Sequence, residues 1–60
     1  MYKVDIFVMD LPYPQIKRYE THTLGEARDL AMRWWDDPAT QGYMIINPDG
    51  VCIDKRGVFK

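Results

Sequence analysis

The chain has 60 residues, 47% of them hydrophobic, which is enough for one small domain (1–60) with a marginal core but not for a large enclosed cleft. Its formal charge of −1 offers no overall field to attract nucleic acid or an anionic membrane, and its single cysteine excludes an intrachain disulfide and a cysteine-rich zinc site. No stretch has the pattern of a secretion signal or a membrane span, so we expect a cytoplasmic protein. We also expect that the protein has no cofactor.

The first predicted strand runs from Tyr2 to Met9. Its even positions are all apolar, whereas Lys3 and Asp5 occupy the alternate face, and this period of two is typical of a half-buried strand. We therefore expect the even face to meet a helix. Phe7 breaks the alternation near the end of the strand, which makes it a candidate contact residue on the other face.

A loop and a weaker strand follow. Two prolines, at 12 and 14, remove backbone donors and fix φ, so this segment is predicted to be a loop that carries Leu11 and Tyr13 outward as candidate partner contacts. The second strand is predicted from Gln15 to His22, with Tyr19 on the side that faces the helix.

The strongest local signal is an amphipathic helix from Thr23 to Trp35. Thr23 and Glu26 have the spacing of a capping box, in which the threonine hydroxyl accepts the Glu26 backbone N–H and the carboxylate accepts the Thr23 N–H. The sequence Asp36-Asp37-Pro38 is expected to end the helix, because a proline disfavours helical geometry in the residue before it.

The two tryptophans occupy different parts of the apolar helix stripe. Projection at about 100° per residue puts Trp34 near the middle of the stripe, as a core residue, and Trp35 at one margin. Arg28 and Met32 continue round the helix beyond Trp35. The spacing of Arg28, Met32 and Trp35 predicts an apolar contact surface with a cationic rim. This composition is favoured at protein interfaces.

Two further strands are predicted to form a hairpin. Tyr43–Ile46 has good strand propensity after a connection over residues 38–42, and Asn47-Pro48-Asp49-Gly50 is a type I turn sequence leading into Val51–Asp54. Gly57 is expected to end the pattern. Since sequential strands tend to pair, we predict a two-layer α+β fold of ββαββ order, with an antiparallel sheet of three or four strands ordered second, first, third, fourth.

The sequence offers little for catalysis or metal binding. His22 is the single histidine and is expected at the surface, while Cys52 is expected to be a packed thiol in an apolar strand. The Asp36–Asp37 pair does not have the ligand spacing of an EF-hand loop. We therefore predict no catalytic residue, no metal site and no enzymatic activity.

An alternative function is nucleic-acid binding by an exposed sheet. Lys17, Arg18, Lys55 and Arg56 could contact phosphates while neighbouring aromatic side chains stack on bases. The net acidity of the chain and its lack of a recognisable aromatic and glycine RNA-binding motif place this alternative second.

The segment Thr23–Ala31, preceded by two strands and followed by Gly42–Ile45, resembles small phage-encoded inhibitors of host machinery, such as the T7-type inhibitors of host RNA polymerase, in its T-L-x-E-A-x-x-L-A helix opening. The chain departs from those inhibitors in its Pro12-Tyr13-Pro14 loop and its added Asn47-Pro48-Asp49-Gly50 hairpin, so no particular target is implied. The same helix is similar to that of HicB-type antitoxins, although their usual extra strand before the helix is missing.

These resemblances imply a protein-binding module that acts inside a bacterial host cell. The expected partner is a bacterial enzyme or complex, such as a polymerase, nuclease or CRISPR effector, which a phage or mobile-element protein blocks without catalysis. An antitoxin-like regulator is the alternative. Pairing of an edge strand or of the open sheet face would give a homodimer.

Overall fold

The computed structural model describes residues 1–9 and 13–57. These residues form an antiparallel sheet in the order β2-β1-β3-β4, with one helix packed on one of its faces. The predicted two-layer α+β fold and strand order are confirmed, and the sheet has four strands. The elements in chain order are β1 (Tyr2–Val8), β2 (Gln15–Thr21), α1 (Leu24–Trp35), β3 (Thr40–Ile46) and β4 (Cys52–Gly57).

The period of two in β1 decides which sheet face meets the helix. Val4, Ile6 and Val8 are buried, and the prediction that the even positions face the helix is confirmed. Tyr19 on β2 lies opposite Val4 and packs against this core, as predicted. Burial of each large aliphatic side chain contributes about 1.5–3 kcal/mol, which makes this layer the main source of stability. Within the described part of the chain, the other buried apolar residues are Ala27, Ala31, Tyr43 and Ile45.

The helix is capped by the predicted threonine, but the Glu26 carboxylate accepts a different hydrogen bond from the one predicted. Thr23 has extended geometry, and its hydroxyl accepts the Glu26 N–H at 3.2 Å. The Glu26 carboxylate then accepts from the Thr23 hydroxyl at 3.2 Å instead of from the Thr23 backbone N–H. At the other end, the Asp37 N–H donates to the Trp34 carbonyl at 2.9 Å, and the Asp37 carboxylate accepts the Ala39 N–H at 2.9 Å. Asp36, whose N–H donates to the Met32 carbonyl at 3.2 Å, caps the helix, and Asp37 starts the connection to β3.

The predicted hairpin turn is present. The Gly50 N–H donates to the Asn47 carbonyl at 2.9 Å, and the Asn47 N–H donates to the Val51 carbonyl at 2.9 Å. The Asn47 side-chain oxygen also accepts the backbone N–H groups of Asp49 and Val51, at 3.0 and 2.9 Å. Gly50 has a φ of +84°, the left-handed conformation that a glycine adopts at the end of such a turn.

Several predicted strand boundaries need correction. β3 starts at Thr40, well before the predicted start at Tyr43, because Thr40 lies opposite Val8 and extends the ladder with β1. β4 starts at Cys52 and continues past Asp54 to Gly57, which lies opposite Gly42 on β3. β1 ends one residue before Met9, and β2 ends one residue before His22.

Two irregularities in register determine which sheet face the residues of β3 and β4 point to. Ile46 and Ile45 on β3 lie opposite Cys52 and Asp54, so Ile53 is an extra residue in β4. A second shift, between Phe7 and Val8 of β1, leaves Gln41 as the extra residue in β3. Because side chains alternate between the faces of a sheet, one inserted residue reverses the faces of all the residues after it.

Candidate functional site

The two tryptophans that end α1 lie on opposite sides of its apolar stripe and contact different strands. The Trp34 ring lies 6.1 Å from the Tyr19 ring of β2, whereas the Trp35 ring lies 5.9 Å from the Tyr43 ring of β3. Both indoles are half-buried and pack against the core. The predicted contrast between a core Trp34 and a marginal Trp35 is therefore wrong, because each ring covers one side of a narrow core.

Trp35 is held between the core and an arginine. Its plane makes an angle of 81° with that of the buried Tyr43, an edge-to-face arrangement that aromatic pairs prefer. The Arg56 guanidinium of β4 lies over the indole, 5.5 Å from its centroid, in cation–π geometry. The two contacts fix the indole in one orientation while part of its surface stays exposed.

Arg28 and Met32 extend this surface along the helix. They lie seven and three residues before Trp35, and at 3.6 residues per turn all three fall on one stripe. Arg28 is exposed and Met32 is 46% exposed. The Cα atoms of α1 come within 8 Å of those of β1, β2 and β3 but not of those of β4, and Arg56 reaches Trp35 from β4 through its long side chain. We call the surface formed by Arg28, Met32, Trp35 and Arg56 the helix flank.

The helix flank carries two guanidinium groups that lack a nearby carboxylate. Within residues 1–9 and 13–57, neither Arg28 nor Arg56 has an acidic oxygen within 4.0 Å, and the one ion pair at that distance joins Arg18 and Asp5. Asp54 lies on the same side of β4 as Arg56, since they are opposite Ile45 and Tyr43, but does not form an ion pair with it. Among the described residues, the two guanidinium groups therefore have no carboxylate partner, and Arg56 is engaged with the Trp35 ring.

The other predicted contact residues are not gathered at the helix flank. Tyr13 is 74% exposed in the segment before β2. Phe7 is half-buried on the sheet face away from α1, opposite Ile16. Leu11 lies outside the described residues. The structure thus brings together three of the six predicted contacts, namely Arg28, Met32 and Trp35.

The four basic residues of the nucleic-acid alternative are divided between the two sheet faces. Lys17 and Arg56 lie on the helix side, where Lys17 is 5.6 Å from the Trp34 ring centroid. Arg18 and Lys55 lie on the opposite face, paired across the strands with Asp5 and Met44. These four residues do not form one continuous basic surface of the kind that tracks a phosphate backbone.

The sheet face away from the helix contains a buried carboxylate. The Asp5 side chain is 5% exposed and accepts hydrogen bonds from Nε and Nη2 of Arg18, at 2.8 and 3.3 Å, whereas the Arg18 side chain is 66% exposed. The hydrogen bond to this carboxylate, and then its negative charge, raise the pKa of Arg18 above its ordinary value. The fork geometry of the guanidinium suits this two-point contact.

The difference in burial predicts unequal effects of removing the two partners. Arg18→Leu should destabilise the protein strongly, because it leaves the Asp5 charge buried without donors, whereas Asp5→Leu should stay within about 1 kcal/mol of the wild type. The double variant should resemble Asp5→Leu, since no buried charge remains. Urea unfolding of the three variants checks this prediction, and equal losses in the two single variants would contradict it.

Groups with catalytic potential lie apart from the helix flank. His22 is exposed between β2 and α1. Cys52 is exposed at the start of β4, so the predicted packed thiol is wrong; its parity puts it on the sheet face without a helix. The described residues contain no group of three or more histidine, cysteine or acidic side chains suited to a metal ion. A shallow depression lies on the other side of α1, lined by Thr21, Glu26, Asp29, Leu30 and Arg33.

Comparisons of the chain with protein-family models, curated proteins and solved structures gave no match. Within the described residues, no helix is both long and apolar enough to cross a membrane. The sequence reasoning had missed two components of the site, because it assigned Arg56 to the nucleic-acid alternative and gave Tyr43 no role beyond its strand.

Proposed function

We propose that this protein is a non-enzymatic protein-binding module whose contact surface is the helix flank. The observation that carries the proposal is the setting of Trp35, which is seated on buried Tyr43 and covered by Arg56, with exposed Met32 beside it. Tryptophan, arginine and methionine are enriched at protein interfaces. A ring that is already ordered also loses little conformational entropy when a partner binds.

The proposed partner is a bacterial enzyme or complex, which the protein blocks by occupying a surface. The helix opening Thr23–Ala31 supports this setting by its resemblance to phage inhibitors of host enzymes. Inhibition of this kind needs a stable scaffold and a complementary surface, and it needs no catalytic group. A polymerase, a nuclease and a CRISPR effector are the candidate targets.

Capture from a bacterial lysate, followed by measured affinity for the captured protein, tests this proposal. Trp35→Ala is expected to weaken binding about 30-fold and Met32→Ala about fivefold, as for central and peripheral interface residues. Trp34→Ala is the matched control, because it removes the same kind of half-buried side chain from the other side of the apolar stripe, next to β2. It should change the affinity less than about twofold once circular dichroism has shown that all three variants are folded.

Two results would reject the proposed surface. One is an equal loss of affinity in the Trp34→Ala and Trp35→Ala variants, which would indicate a general effect on the fold. The other is full affinity in both Met32→Ala and Trp35→Ala, which would place the interface elsewhere on the protein.

A further inference from the structure

We infer that the helix flank recognises an acidic protein segment in which carboxylates lie beside leucine or a similar apolar side chain. This inference rests on the proposed function and specifies the chemistry of the partner at the same surface. It follows from the charges, the spacing and the apolar floor of the flank.

The charges of the flank favour an anionic partner. Arg28 and Arg56 have no carboxylate within 4.0 Å among the described residues, whereas Arg18 on the other face is already paired with Asp5. A guanidinium forms strong two-point hydrogen bonds with a carboxylate. An acidic segment would supply the charges that the protein itself leaves out at this surface.

The spacing of the two positive groups matches a short stretch of polypeptide. Arg28 and Trp35 are seven residues apart, which corresponds to about 10 Å along a helix axis. The Arg56 guanidinium lies over the Trp35 ring, so it marks one end of this stretch and Arg28 marks the other. A chain in the polyproline II conformation advances about 9 Å in three residues and returns every third side chain to the same side. Two carboxylates three residues apart could therefore reach both arginines.

The region between the arginines is apolar and favours a leucine-type side chain. Met32 lies one helical turn from Arg28 and is 46% exposed. The exposed part of the Trp35 ring comes next along the same stripe of the helix. A flexible methionine next to a fixed indole forms an adaptable apolar floor. An apolar side chain between the two carboxylates would cover this floor.

Neighbouring negative charges limit the length of the site. Asp36 and Asp37 follow Trp35 at the end of α1, and Asp54 lies on the helix side of β4. These carboxylates would repel an acidic chain that continued past Arg56. The favourable stretch is therefore confined to the segment between Arg28 and Arg56.

A protein segment fits this surface better than a nucleic acid does. Nucleic-acid binding depends on a row of phosphate contacts, and the other cations of the sheet lie either across the helix, as Lys17 does, or on the far face. The flank offers two guanidinium groups and an apolar floor, which suits carboxylates interleaved with an apolar side chain.

The test uses the Trp34→Phe variant, in which Trp35 is the remaining tryptophan of the two in the chain. A synthetic peptide of Glu-Glu-Leu repeats is titrated at low salt, and the dissociation constant is obtained from the Trp35 emission. Arg28→Gln and Arg56→Gln should each weaken binding about fivefold, and added salt should weaken it further. Arg33→Gln, on the depression side of α1, is the matched control and should stay within about twofold.

Three results would overturn the inference. They are the lack of a saturable response to the acidic peptide, equal binding of a peptide with glutamine in place of glutamate, and tighter binding of oligo(dT) through the same two arginines. Failure of the inference remains distinct from failure of the proposed function. A lysate partner that depends on Trp35 and Met32 but tolerates Arg28→Gln and Arg56→Gln would reject the acidic segment and leave the protein-binding surface in place.

Discussion

Replacing Gly57 with alanine is expected to destabilise the protein by about 4 kcal/mol, through backbone strain together with a steric clash. Gly57 has a φ of +74°, and a Cβ at this position would lie 2.8 Å from the Gly42 Cα and closer still to the Gln41 carbonyl oxygen. Both obstacles are backbone atoms of β3, which a rotamer change cannot move. A domain of this size has a total stability of about 3–9 kcal/mol, so much of it would be lost.

Gly50→Ala is the matched control for this prediction. Gly50 also has a positive φ, +84°, but a Cβ there would have no heavy atom within 4 Å. Its cost should be limited to the left-handed backbone strain, about 1–2 kcal/mol. Urea unfolding of both variants measures the difference, and equal losses would show that the contact with β3 does not matter.

The same substitution bears on the helix flank. Gly57 follows Arg56 directly, and displacement of the end of β4 would move the guanidinium away from the Trp35 ring. The fraction of the Gly57→Ala variant that still folds should therefore bind the acidic peptide less tightly than the Gly50→Ala variant does. The end of β4 thus connects the packing of two strands with the placement of a contact residue.

Local patterns in the sequence were sufficient to predict the fold. The alternation in β1 identified the buried face, Thr23 marked the start of α1, and Asn47-Pro48-Asp49-Gly50 located the turn between β3 and β4. Each of these signals depends on residues close together in the chain. The strand order followed from the tendency of sequential strands to pair.

The composition of the helix flank could not be predicted in the same way. If Ile53 paired with Ile45 in a regular ladder instead of forming a bulge, Lys55 would lie opposite Tyr43 and Arg56 would face away from the helix. Pairing with β3 creates this bulge, and the residues of β4 alone do not reveal it. Arg28, Met32 and Trp35 were predictable because helical periodicity alone places them on one stripe.

Burial on the sheet was also decided by neighbours distant in sequence. Asp5 alternates with apolar residues, a pattern that predicts a solvent-facing side chain. Its side chain is 5% exposed, because Arg18 and the adjoining strands cover it. The apolar residues around Cys52 predict that it is packed in the core. It is exposed, because β4 is an edge strand. In both cases the position of the strand within the sheet decided the exposure.

Tyr43 contacts both the core and the helix flank. Its replacement by alanine should lower the free energy of unfolding by about 3–5 kcal/mol, as for other buried aromatic side chains. Its ring is 3% exposed, lies opposite Ile6 on β1 and supports the edge of Trp35. Tyr43→Phe keeps the ring and is the matched control, which should remain within about 1 kcal/mol of the wild type in urea unfolding. Similar losses in the two variants would mean that the hydroxyl, and not the ring, stabilises the fold.

Tyr43→Leu separates support of the core from support of the binding surface. Leucine keeps apolar bulk in the core, so the variant should fold, but it lacks the ring that holds Trp35 edge-on. In the Trp34→Phe background, Trp35 should then be quenched more readily by iodide, and the acidic peptide should bind about fivefold less tightly, because the indole must be ordered on binding. Wild-type affinity together with increased quenching would show that the partner does not require a preordered Trp35. The helix flank would then act through its charges more than through a fixed aromatic ring.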